Sequence, residues 1–184
     1  MINKVYAQKI SLEQIKKVLD NKNSIQLQCF FEEEYFNKLK DRINKIILKK
    51  EFIPQLYSYS SADFKDKDII STINNLISYL FNKSSKLSSS RIFSFQHRDY
   101  TLLSDSIRQD DGVKVIIELT DNWNDEANGY TSFVKDKKEV ARINVINNSV
   151  SIIRTNNDMR SFVKYVNYKS KDKKRIFIEL TYHF

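Results

Sequence analysis

The sequence predicts an α+β fold: an antiparallel sandwich or barrel with helices laid against one face. Three observations carry this. Up to Lys83 the apolar residues recur mostly at helical spacing. From Arg91 onward the period drops to two, in short runs rich in Val, Ile, Phe and Tyr and broken by Asn, Asp and Lys. The helices come first and the strands follow, so an alternating parallel sheet is disfavoured.

Element by element, Ser11 with Gln14 three residues on forms a capping pair for SLEQIKKVLD, whose Leu12, Ile15, Val18 and Leu19 share a face. SIQLQCFF (24–31) reads as extended. EEEYFNKLKDRINKIILKK (32–50) repeats Tyr35, Phe36, Leu39, Ile43, Ile46 and Ile47 at helical spacing, with Glu at its start and Lys at its end to suit the helix dipole. KDKDIISTINNLISYLFNK (65–83) is a further helix with an Ile/Leu stripe, and SSKLSSS (84–90) reads as a polar loop. The predicted strands that follow are RIFSFQH, VKVIIEL, YTSFV, EVARINVI, SVSIIR, SFVKYVNY and RIFIELTYHF.

Composition narrows the class. A length of 184 residues suits one domain spanning 1–184. With only 2 Gly and 1 Pro, turns fall to Asn, Asp and Ser, as at Asp110-Asp111-Gly112, and a phosphate-cradling glycine loop is excluded. A single cysteine, Cys29, excludes an intrachain disulfide and a cysteine-based zinc site; lying in an apolar run, it reads as a small core residue. No apolar stretch reaches membrane-spanning length and no secretory leader opens the chain, so the expected setting is cytoplasmic. The net charge of +8 suits an anionic partner.

The chemistry centres on His97-Arg98-Asp99, because the chain has only two histidines, His97 and His183. In an extended strand Phe93, Phe95, His97 and Asp99 share a face, so an aromatic wall leads to two groups able to ligate a metal. Two His and one carboxylate with open positions is a non-heme iron pattern, of which two members are present here.

In order, the pieces from Ile25 to the C-terminus resemble the prolyl-hydroxylase-like branch of the 2-oxoglutarate- and Fe(II)-dependent dioxygenases. IQLQCFFEEEYFNKLKDRI (25–43) is similar to the family's entry strand and first long helix, HRDY (97–100) to its His-x-Asp, and VIIELTDNW (115–123) to its strand and Trp-ending loop. NGYTSFV (128–134) resembles its Gly-Gly-Glu-Leu turn and strand, with Asn for the first Gly and Tyr for Glu. NNSVSIIR (147–154) resembles the strand before the distal His. SFVKYV (161–166) resembles His-x-Val-x-x-Val, with Ser161 in place of His, and RIFIELTYHF (175–184) the last strand, whose leading Arg grips 2-oxoglutarate. The resemblance implies a double-stranded β-helix (jelly roll) with supporting N-terminal helices, His97 and Asp99 as metal ligands, Arg175 as the 2-oxoglutarate clamp, Fe(II) and 2-oxoglutarate as cofactors, and hydroxylation of a peptidyl (prolyl) or small-molecule substrate. Alternation in the last strand fits it. Ile176, Ile178, Leu180, Tyr182 and Phe184 form an apolar face for the helices; Arg175, Phe177, Glu179, Thr181 and His183 look into the barrel.

Ser161 is the departure, since a neutral hydroxyl is a poor iron ligand and no histidine lies between 98 and 182. Asp158, Glu179, His183 or water would then supply a third ligand. The competing expectation is a catalytically inactive jelly-roll module that binds nucleic acid or a protein. Residues 160–175 speak to it. Arg160, Lys164, Lys169, Lys171, Lys173, Lys174 and Arg175 are interleaved with Phe162, Tyr165 and Tyr168, and Asp172 is the only acid. Such a pattern suits single-stranded nucleic acid. The simpler expectation for the same segment is a lysine-rich turn between two strands with its aromatics in the core.

Overall fold

In the computed structural model, which describes residues 1–103 and 111–184, every strand pairing is antiparallel. Asp110, the first residue of the turn expected over 110–112, lies outside the described residues. The helices are α1 (Lys4–Ala7), α2 (Lys9–Lys22), α3 (Glu33–Asn44) and α4 (Lys67–Phe81). The strands are β1 (Ser24–Leu27), β2 (Lys49–Ile53), β3 (Tyr57–Asp63), β4 (Lys86–Phe95), β5 (Tyr100–Thr101), β6 (Gly112–Glu118), β7 (Thr131–Lys135), β8 (Lys138–Ile143), β9 (Ser149–Thr155), β10 (Arg160–Val163) and β11 (Arg175–His183). The large sheet runs β1-β9-β6-β11-β4-β3-β2, with β5 beside β3; a smaller sheet runs β10-β7-β8. The fold is the predicted α+β jelly roll, a curled half-barrel backed by helices.

The large sheet is covered on both sides, and this is why β6 is buried along its whole length. One face packs on the helices. Val113, Val115 and Ile117 of β6 and Ile178, Leu180 and Tyr182 of β11 meet Leu19, Leu39, Ile73 and Ile77. The other face closes on the small sheet through Ile116, Ile153, Phe95 and Phe177 against Phe133, Val163 and Val166. Full burial of each such side chain contributes about 1.5–3 kcal/mol, so two covered faces hold the sheet far more firmly than one. The alternation read in the last strand therefore separates two cores.

Local chemistry sets the boundaries. Asp66 caps α4, its carboxylate accepting from the amides of Asp68 and Ile69 at 3.2 Å. Asn23 and Asn82 end α2 and α4 in left-handed conformations (φ 59° and 50°). Asn122, Asn128 and Asn148 also have positive φ, so asparagine does take turn work usually given to glycine.

Several boundaries differ from the sequence reading. The N-cap of α2 is Gln8, not Ser11. α3 stops at Asn44, because 49–53 pairs with 57–61 in a hairpin whose turn has Pro54 second and Gln55 (φ 62°) third. The polar stretch 84–90 is largely strand, since Lys86–Ser90 find backbone partners along β11 while the Ser88 and Ser90 hydroxyls bond to the carbonyls of Thr181 and Phe64. β10 ends at Val163 and does not run on to Tyr168. Cys29 is exposed at φ 50°, in the bend after β1, and is not a core residue. Among the described residues no helix is long and apolar enough to cross a membrane.

Candidate functional site

The interior between the two sheets contains a cavity of about 160 Å³. Tyr57, Tyr59, Phe93, Phe95 and Phe177 form one wall, and Thr131, Ser161, Phe162 and Val163 of the small sheet face it. Ring centroids step along the wall at 5.0 Å (Tyr57–Tyr59), 5.3 Å (Tyr59–Phe93) and 5.5 Å (Phe93–Phe177). Lys114 and Glu179 also line it and pair at 3.1 Å. Beyond Tyr59, Glu51 accepts from Tyr59 (3.2 Å), Ser61 and Arg91. Burial and then the Glu51 charge push the Tyr59 hydroxyl up to about 12. Burial works against an ionised Glu51, but Ser61 and Arg91 outweigh it and hold that carboxyl below its ordinary range.

Arg175, at the start of β11, lies on the barrel side and is fully buried. Its Nε and Nη2 both stand 2.9 Å from Oε2 of Glu118, which is also 0% exposed, and its Nη1 donates to the Gly129 carbonyl (2.6 Å) and Thr131 Oγ1 (2.8 Å). Its guanidinium sits 4.3 Å from the Phe177 ring centroid. The other Glu118 oxygen accepts from Thr120 Oγ1 at 2.6 Å. Burial pushes the Glu118 carboxyl up, against the pull of Arg175 and Thr120. The guanidinium that the resemblance assigns to a cofactor carboxylate is thus held by one from the chain itself through Nε, while Nη2, at ion-pair distance from the same oxygen, makes no hydrogen bond among the described residues.

His97 and Asp99 part company. β4 ends at Phe95, and residues 97–98 form a turn with Arg98 at φ 74°, so the strand face expected through Asp99 stops at Phe95. His97 is exposed. Asp99 is buried: Oδ1 accepts from Lys50 Nζ and Ser58 Oγ, each at 2.5 Å, and Oδ2 from the Gln96 amide at 3.0 Å. Ser58 alternates with Tyr57 and Tyr59, which line the cavity, so it projects from the opposite face of β3, and Asp99 lies with it on that side. Ser161 lines the cavity opposite Phe133 on β7. Of the residues considered for a third ligand, Asp158 pairs with Lys135 at 3.4 Å and Glu179 with Lys114, while His183 Nδ1 lies 3.4 Å from the Asp111 carbonyl at the far end of β11.

This donor set does not fit iron. The buried carboxylate is already satisfied by a cation, a hydroxyl and an amide. The imidazole is on an exposed turn, and the third position carries a hydroxyl. Among the described residues no three His, Cys, Asp or Glu side chains converge as metal donors. Sequence reasoning missed Glu118, Lys50 and the Glu51–Arg91 pair. Alternation along VKVIIEL places Lys114, Ile116 and Glu118 on one face, so a charge facing the interior was legible there; Lys50 and Glu51 come from a hairpin that the sequence reading took in part as helix, and Arg91 meets Glu51 from β4.

No protein-family model matches the sequence. Solved structures do match the fold. A prolyl hydroxylase from Trichoplax adhaerens, in complex with a peptide fragment of the hypoxia inducible factor oxygen degradation domain, superposes with a TM-score of 0.76 at 13% identity over 97% of this chain and 91% of that one. A prolyl-4-hydroxylase from Pseudomonas putida gives 0.73 at 10% identity over 94% and 98%. HygX from Streptomyces hygroscopicus, with nickel and 2-oxoglutarate bound, gives 0.63 at 10% identity over 92% and 85%. The chain therefore has the fold of the 2-oxoglutarate/Fe(II) oxygenases, in the form seen in prolyl hydroxylases.

Proposed function

We propose that this chain is a single-domain, non-catalytic jelly-roll binding module, using an oxygenase scaffold without the oxygenase cofactors. The observation that carries this reading is the Glu118–Arg175 pair. A fully buried guanidinium whose Nε and Nη1 already bond to a carboxylate, a carbonyl and a hydroxyl keeps only Nη2 without a hydrogen bond among the described residues, too little for a two-pronged grip on a 2-oxoglutarate carboxylate, and displacing Glu118 would strand a charge in the interior. Asp99, held by Lys50 and Ser58, supports the same reading at the iron position.

The cavity remains as a place for a ligand. At about 160 Å³ it is smaller than the roughly 300–1,000 Å³ of sites that enclose whole small molecules. It suits one apolar or ring-bearing side chain of a peptide laid across the opening. Stacked Tyr and Phe faces supply the contact, and the Lys114–Glu179 pair at its edge offers polar atoms to the peptide backbone.

Anaerobic calorimetric titration with Fe(II) and 2-oxoglutarate, alone and together, tests the proposal. The expected result is no mutually dependent binding. Tight binding of each that depends on the other would overturn it and return His97, Asp99 and Arg175 to the roles the resemblance implies.

A further inference from the structure

Outside the barrel, the link between β10 and β11 forms a surface that the cavity does not use. Its aromatics are not in the core: Tyr165 is 44% exposed and Tyr168 71% exposed. The turn after β4 is tied to it by two backbone hydrogen bonds of 2.9 Å, Arg98 N–H to the Val166 carbonyl and Val166 N–H to the Asp99 carbonyl. This places Arg98 beside Lys164 and Tyr165, and the Tyr100 ring lies 6.3 Å from that of Tyr165. Arg98, Lys164 and Lys171 are exposed and enter no ion pair among the described residues. Nearby acids are largely committed: Glu126 pairs with Lys169 at 2.5 Å, and Asp99 is buried against Lys50, which leaves Asp125 and the exposed Asp172.

Two tyrosines three residues apart, exposed far beyond what packing requires and set among unpaired cations, meet the needs of a strand that is both anionic and flat-faced. Phosphates take the cations, and bases stack on the rings whatever their sequence. An acidic polypeptide would satisfy the charges but leave the rings without a partner. We propose that Arg98, Lys164, Tyr165, Tyr168 and Lys171 form a binding surface for single-stranded nucleic acid. It is independent of the cavity reading, since none of these residues lines the cavity.

Fluorescence anisotropy with labelled oligo-dT and oligo-U of about 15 nucleotides tests this on the full chain. Saturable binding that weakens linearly in log salt is expected. Tyr165→Ala and Tyr168→Ala should each weaken it by roughly fivefold or more with the salt slope unchanged, while Tyr165→Phe, which keeps the ring, should bind like the parent. Lys164→Ala and Lys171→Ala should each reduce the slope by about 0.7. Lys9→Ala with Lys17→Ala, on α2, should change neither. The proposal is overturned if no saturable binding is seen at low salt. It also fails if the tyrosine variants, with parental circular dichroism, bind as the parent does, which marks diffuse attraction to a cationic protein. Competition by polyglutamate as strong as by unlabelled oligonucleotide would overturn it in favour of an acidic protein partner.

Discussion

Glu118 and Arg175 close a fully buried ion pair across β6 and β11 although they are not opposite each other in the register. The Cα partner of Glu118 is Phe177, so Arg175 reaches diagonally past one residue pair to place Nε and Nη2 2.9 Å from Oε2. The diagonal contact seats the guanidinium over Phe177 and next to the carbonyl of Gly129.

A pair of this kind is costly to break from one side. Glu118→Ala should lower unfolding free energy by about 3–5 kcal/mol, because it leaves Arg175 charged and uncompensated in the interior. Glu118→Leu combined with Arg175→Met should recover most of that loss. Urea denaturation followed by Trp123 fluorescence measures both; a double variant no better than the single would show that the pair stabilises through more than mutual compensation.

Lys50 and Asp99 make a second, less buried pair. Lys50→Ala leaves the Asp99 carboxylate with only Ser58 and the Gln96 amide, and the expected loss is about 1–3 kcal/mol. The comparison is with Lys49→Ala, an exposed neighbour with no ion pair among the described residues, which should stay within about 0.5 kcal/mol of the parent. Equal melting of the two variants would mean that Lys50 adds nothing to the hold on Asp99.

The Glu51 carboxyl, held below its ordinary value of 4.5 by Ser61 and Arg91 against the opposing effect of burial, gives a pH dependence of definite sign. A depressed carboxyl contributes stability that is fully present above its unfolded value and is lost as pH falls through its folded one. Glu51→Gln should therefore be less stable than the parent at neutral pH, and the gap should narrow as pH drops below 4.5. Thermal melts across the acid range read this directly, and a gap that stays constant or widens counts against it.

Gly129 is a backbone position that side chains fit badly. Its φ is +77°, and a Cβ there would stand 2.9 Å from the Trp123 ring and 3.1 Å from Val166. Gly129→Ala should cost about 1–3 kcal/mol through strain and crowding together. Because the Gly129 carbonyl accepts from Arg175, the same variant should shift the Trp123 emission of the folded state; an unshifted spectrum and an unchanged melt would place the Trp123 loop free to move aside.

The fold was legible because its signals are local. Ile178, Leu180 and Tyr182 alternate with Arg175, Phe177 and Glu179, and a period of two assigns them to opposite faces whatever lies beyond. Helical spacing did the same for α4, and the scarcity of glycine pointed to Asn, Asp and Ser for turns, of which Asn23, Asn82 and Asn128 are instances. Less was legible where a segment's state depends on a distant partner: Lys86–Ser90 are polar enough for a loop and become strand because β11 supplies hydrogen bonds, and Lys49–Lys50 leave the helical pattern to pair with β3.

The site divides in the same way. By itself the sequence determined that Arg175 starts a strand on the face opposite Ile176, Ile178 and Leu180, and that the chain has a serine where the resemblance calls for a third metal ligand. Only the tertiary structure decided whom the charged groups meet: Glu118, 57 residues before Arg175, and Lys50, 49 residues before Asp99. A side chain's face follows from local backbone geometry. Its partner follows from chain closure over long separations, and in a buried site the partner decides whether a charge is free to bind anything else.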